Sequence, residues 1–393
     1  MLPDDESLDK HPLADADNGN DGGGTPPRRR TAVGAGGPDD DFEKGIREFR
    51  LNDIEDPLNE AHLQSWPIPG ITFVKLDGIL NSVELDEECV QSNEQPPQNQ
   101  DPNQMPKRLY LMEDALTGLS SQKAYIAFAT IGNTVGVSYF MGLALQQPPE
   151  GMDQNLSSVC YNIQRSILNS VYNGIDIHQR IYSSDDLRTV IEPLANNIGV
   201  VTGIALLKSG AGDTFGQEQI ERIASGLQGD EFGMLVLAAP IPQKMLSDEE
   251  YIILDQIQKA QQNGNRETKR RVKYYLKLQE AYLRHIQLGQ SIGHWQVGVY
   301  FFAPKPDVFV RLQSLIKATY LDEGVRPTPV RTHVSRSLKK HLLDFGLLRN
   351  HRADSPIHKL LQYHFLTPLN SRMLSAYIHL PKRDMPGFKV HCS

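Results

Sequence analysis

Three patterns in the chain use residue types that catalysis or ligand binding employs. Gly289-Gln290-Ser291-Ile292-Gly293 matches G-x-S-x-G, in which a sharp strand-to-helix turn thrusts a serine toward an oxyanion hole. Here the flanking patterns run the other way, a helix ending at Leu288 and a strand starting at Trp295, so the glycines read as a helix stop and a turn. A small serine hydrolase using Ser291 with one of the histidines is the enzymatic alternative. Lys208–Gly216 (KSGAGDTFG) sits between an expected strand and helix, the context in which helix amides hold phosphate. Its G-x-G-x-x-x-G spacing departs from the dinucleotide fingerprint, and no acidic residue closes a following strand. It reads as a plain loop. The third pattern is His351, His358 and His364, spaced seven and six apart, which fits neither the i, i+4 pair of a metalloprotease helix nor a zinc-finger spacing.

A Walker A loop needs Gly-Lys-Ser/Thr, and no glycine in the chain precedes a lysine. Cys89, Cys160 and Cys392 form no C-x-x-C pair, which excludes a disulfide scaffold and fits a reducing, cytoplasmic setting. No catalytic, cofactor-binding or metal-ligating residue is therefore assigned. Charge gives a different lead. From Arg331 to Ser393 there are 11 Lys and Arg against 3 Asp and Glu, whereas residues 1–330 hold 29 against 45. Clustered cations are what phosphate contacts require, so Arg331, Arg336, Lys339, Lys340, Arg349 and Arg352 are the candidate contacts to nucleic acid or to another subunit.

The elements that must carry these residues follow from periodicity. Ala124–Pro149 holds no charge over 26 positions, long enough to cross a bilayer. Its glycines, Asn133 and terminal glutamines make it a β-hairpin turning at Gly132-Asn133 instead, so no membrane span is expected. Asn155–Tyr172 has helical spacing, Ile198–Leu207 and Gly233–Pro240 are apolar strands, and Gln217–Leu227 is a short helix between them. Two helices, about 248–262 and 266–288, are separated by Asn263-Gly264-Asn265; the second shows a Val272, Leu276, Gln279, Leu283, Ile286 stripe. Trp295–Ala303 is a third strand, and Pro306 opens a helix to Leu321.

The fold class is α/β: a mixed sheet with a β-hairpin, alternating strands and helices, a helical-hairpin insertion and a disordered N-terminal tail. With 393 residues and 39% hydrophobic content, the chain can bury a real core. Residues 1–41 form the acidic, glycine-rich tail. Residues 42–108 hold opening strands and the low-complexity patch Gln91–Pro106, 109–324 the α/β core, and 325–393 a basic, His-rich connector.

Three stretches resemble the amino-terminal, pre-motor region of HerA/FtsK-type ATP-binding proteins, relatives of the conjugation and type IV secretion ATPases. Asn197–Leu207 (NIGVVTGIALL) is similar to a strand ending in a V-T-G-I-P-S turn, with Ala205-Leu206 in place of Pro-Ser. Ile220–Ile241 resembles that family's helix, turn and strand, and Leu288–Ala303 its W-x-V-G-V-Y strand. Thr367–Val390 resembles the lead into the motor. The resemblance implies a recognition or assembly domain beside an ATPase motor domain or subunit, in a homo-oligomer that engages DNA or another substrate. ATP and Mg would belong only to that motor, and the chain is expected to be truncated ahead of it. A structural protein that multimerises through the 266–288 helix is the remaining alternative.

Overall fold

Residues 63–81, 110–146, 156–172, 174–203, 219–262, 269–320, 330–350, 365–381 and 384–392 are described by the structure, a computed structural model. The tail 1–41, the patch Gln91–Pro106, the Lys208–Gly216 loop, Cys89, Arg352 and the three spaced histidines lie outside those residues.

Strands β1 (Leu63–Pro67) and β2 (Thr72–Asn81) come first, followed by helix α1 (Tyr110–Ser121). The charge-free run folds as the expected hairpin, β3 (Ala124–Gly132) and β4 (Val137–Leu145). Asn133 holds the turn: its Oδ1 accepts from the Val135 and Gly136 amides at 2.8 and 2.9 Å, the local bond that favours Asn in turns. Helix α2 (Leu156–Val171) buries Cys160, Gln164 and Leu168 on one face. After β5 (Asp176–Tyr182), helix α3 (Ser184–Ile191) starts at a reciprocal capping box between Ser183 and Asp186. Next come β6 (Asn197–Thr202), α4 (Gln219–Gly226) and β7 (Phe232–Pro240).

Helices α5 (Gln243–Gln262) and α6 (Lys269–Ile292) are the helical hairpin, inserted between β7 and its sheet neighbour β8 (His294–Ala303). Helix α6 runs four residues past Leu288. Its buried stripe is Val272, Tyr275, Leu278, Gln279, Tyr282, His285 and Ile286, with Leu276 and Leu283 only half-buried. Helix α7 (Pro306–Tyr320) then begins at Pro306 as expected.

Beyond it, the basic segment expected as a connector carries further elements. Residues 330–392 contribute β9 (Arg331–Val334), α8 (Leu338–Leu343), β10 (Gly346–Asn350), β11 (Thr367–Asn370), α9 (Ser371–Leu374) and β12 (Lys389–Cys392). Leu338, Leu342, Leu369, Leu374 and Phe388, set between the cations, are all buried. The net charge of the segment concealed this distributed apolar content.

One ten-stranded sheet organises the molecule, in the order β12-β2-β4-β3-β7-β8-β6-β9, with β5 also on β2 and β11 also on β8. All its pairs are antiparallel except β12 on β2. Strands β2, β9 and β12, from outside the expected 109–324 core, share this sheet. Strands β7 and β8 are buried along their whole lengths, and the two-residue period sorts them to two apolar layers. Trp295, Val297, Val299 and Phe301 join the layer that includes α1, α4, α7 and α9; Tyr300 and Phe302 join that of α3, α8 and β10. Phe301 stacks on Phe309 of α7, with centroids 5.1 Å apart. Burying each such ring stabilises by about 2 kcal/mol.

Candidate functional site

The candidate cations divide between two places. Arg331 opens β9, the last strand of the sheet, and is half-buried. Arg336 is exposed in the turn that follows, Lys339 is half-buried and Lys340 exposed on α8. Arg349 lies instead in β10, which pairs with β1 in a separate two-stranded ribbon, opposite Gln64. Four of the six thus share one ledge, and Arg349 does not.

Local chemistry makes that ledge rigid. The Ser335 hydroxyl accepts from the Ser337 amide at 3.1 Å, fixing the turn that presents Arg336. Leu338 and Leu342 anchor α8 under the sheet, and the Leu343 carbonyl accepts from Arg188 Nε at 2.9 Å. The His341 ring pairs with the Ser65 hydroxyl at 2.7 Å, tying α8 to β1. Burial pushes the His341 pKa down, Lys340 adds to that, and Asp344 opposes it. Among the described residues, Arg336, Lys339 and Lys340 form no salt bridge.

The edge of β9 adds directional polar groups. The Ser335 amide donates to the Ile198 carbonyl at 3.3 Å, and His333 stands opposite Val200. Hydrogen-bonded and non-hydrogen-bonded pairs alternate along an antiparallel ladder. Thr332 and Val334 therefore turn their N–H and C=O groups away from β6. Among the described residues no strand pairs with them, and the Val334 side chain is 49% exposed.

A second polar assembly lies at the root of the helical hairpin, where the sequence offers almost no signal. His285 Nε2 donates to the Pro368 carbonyl at 2.9 Å, so Nδ1 is the bare nitrogen and accepts from Asn370 Nδ2 at 3.0 Å. Asn370 Oδ1 in turn accepts from the Met373 amide, capping α9. Burial pushes the His285 pKa down to about 4, against the pull of the Pro368 bond. His294 meets His285 edge to face at 4.7 Å, and burial holds its pKa well below the usual value, with His285 adding to the effect. Trp295 Nε1 donates to Ser371 Oγ at 3.0 Å, and Arg372 forks onto the buried Glu113 at 2.9 and 3.1 Å. The sequence singled out the spans holding His285, Trp295 and Asn370–Arg372, but not the contacts among them. The contacts join positions 76 to 259 apart, which no local pattern records.

The G-x-S-x-G residues sit at the same root. Gly293 takes a φ of +92° between α6 and β8, a conformation glycine adopts without strain. A side chain at Gly289 would run into His294 Nδ1. The helix-before-strand order is the reverse of a nucleophile elbow. Among the described residues no group of three or more His, Cys, Asp and Glu could hold a metal, and no helix is long and apolar enough to cross a membrane. Compared with known proteins, the chain matches no family model and no curated sequence.

Proposed function

We propose that the chain is a non-catalytic recognition and assembly module of a HerA/FtsK-like ATPase that moves DNA or another substrate. In this reading the module works as a cytoplasmic homo-oligomer and leaves nucleotide chemistry to the motor. The β9–α8 ledge carries it: outward-facing backbone groups of Thr332 and Val334 lie next to three cations without a salt bridge among the described residues. An extended segment of a neighbouring subunit would add to β9 by main-chain bonds, while Arg336, Lys339 and Lys340 would face phosphates. The resemblance of Asn197–Leu207 and Leu288–Ala303 to the pre-motor region supplies the family.

Duplex DNA binding by fluorescence anisotropy, across roughly 50 to 200 mM salt, tests it. Lys339→Glu with Lys340→Glu should weaken retention at every salt concentration. The plot of log affinity against log salt should become shallower by about 0.9 for each phosphate that the variant no longer neutralises. A variant that binds like the parent across the whole range removes the ledge as a nucleic-acid contact.

A further inference from the structure

One cavity, of about 380 Å³, lies where the end of α1, the start of α5 and the α6 to β8 turn meet. That volume is within the range of small-molecule sites. Four features converge on its wall. Lys123 sits there with a φ of +52°, a left-handed conformation that costs a non-glycine residue about 1 kcal/mol or more and clusters at functional sites. His294 lines the wall, is 1% exposed, and has no hydrogen-bond partner for either ring nitrogen among the described residues. Ser120 and Ser291 also line it, and among the described residues neither hydroxyl has a partner. Finally, α5 opens onto it through Gln243. The Gln243 and Lys244 amides at the start of this 20-residue helix lack an i−4 acceptor and carry partial positive charge, while those of Met245 and Leu246 donate to the Pro242 carbonyl.

The charge balance selects the occupant. Among the described residues Lys123 is the one charged side chain in the wall, and no carboxylate lines it. The Ile292 carbonyl, which would repel an anion, is already covered by the hydroxyls of Thr117 and Ser371. The donors come from three elements, α1 with Lys123, the end of α6 and the start of α5, and a phosphate offers them more acceptor oxygens than a carboxylate does. We propose that this cavity binds a small phosphate-bearing ligand, its phosphate held by Lys123, Ser120, Ser291 and the amino end of α5, with the His294 ring in the wall beside it. The site is separate from the β9–α8 ledge and stands whether or not that ledge binds DNA.

Inorganic phosphate is the probe, titrated into the full-length chain and followed by calorimetry and by the thermal unfolding midpoint. Acetate at equal ionic strength is the carboxylate control. Phosphate should bind saturably and raise the midpoint, and acetate should do neither. Lys123→Gly should weaken phosphate by about tenfold or more, as removal of a charge-assisted hydrogen bond does. Glycine accepts the φ of +52° without strain, so the same variant should match or exceed the parent's midpoint when phosphate is absent. Ser291→Ala should weaken phosphate by several-fold, and the Lys339→Glu, Lys340→Glu variant should bind it like the parent. No saturable response in the parent, an equal response to acetate, or parental affinity in Lys123→Gly would each overturn the proposal.

Discussion

Acid should loosen the hairpin root before it titrates the carboxylates, through His285 together with its likewise depressed neighbour His294. Its Nε2 proton is committed to the Pro368 carbonyl, and its bare Nδ1 faces the Asn370 amide nitrogen. A proton added at Nδ1 would confront that donor. Asn370 cannot flip to offer oxygen instead without giving up the Met373 amide and the cap of α9. The folded pKa is about 4, against about 6.5 for a free imidazole. Because the folded value is depressed, the unfolded chain binds the proton first. The contribution to stability is whole above about pH 6.5 and is lost progressively as pH falls toward 4. At about 1.4 kcal/mol per tenfold change, the gap corresponds to roughly 3 kcal/mol. Urea unfolding between about pH 7.5 and 5 isolates this window from ordinary carboxylate titration. The parent should lose stability down the range. His285→Gln, which can still donate to Pro368, should start less stable at pH 7 and follow a visibly flatter profile. Parallel profiles for parent and variant would refute the argument, since the pH dependence would then belong to other groups.

Two further outcomes follow from the same geometry. Arg372→Met leaves the Glu113 carboxylate, whose side chain is 4% exposed, without its bidentate partner. Discounting for the partial exposure of Arg372, the cost is roughly 2–3 kcal/mol, read as a lower urea midpoint that Glu113→Gln in the same chain should partly restore. Val334→Pro removes an amide that points away from β6, so β9 keeps its ladder bonds. Its thermal midpoint should stay near the parent's while light scattering shows reduced self-association; unchanged association would count against strand addition at β9.

What could be read from the chain tracks the distance over which each signal is local. The hairpin at 124–145 was legible because a charge-free run and an Asn-centred turn both lie within it. The α4 face was legible because Ile220, Ile223 and Ala224 recur at helical spacing within two turns. On α6 the helix was expected and Val272, Gln279 and Ile286 of its stripe are buried, whereas Tyr275, Leu278, Tyr282 and His285 were missed and Leu276 and Leu283 are only half-buried. The partners of His285, the Pro368 carbonyl that accepts from it and the Asn370 amide that donates to it, come more than 80 positions later. The last third of the sheet was missed for a related reason. Strands β9, β11 and β12 are four residues each, too short for a two-residue period to emerge, and they lie among cations that dominate the composition.

Those short strands also explain how the two regions of interest are built. β9 stays at the sheet edge because β6 alone pairs with it among the described residues, leaving Thr332 and Val334 directed outward. β11 instead lies beside the first residues of β8, from Asn370 opposite His294 to Thr367 opposite Val297. That register delivers Asn370 and Ser371 to His285 and Trp295. The C-terminal residues are therefore what fixes the α6 to β8 turn, and with it the wall of the phosphate cavity. A substitution in β11 should propagate to His294 and Ser291, although it touches neither in sequence, while leaving β9 and its cations in place.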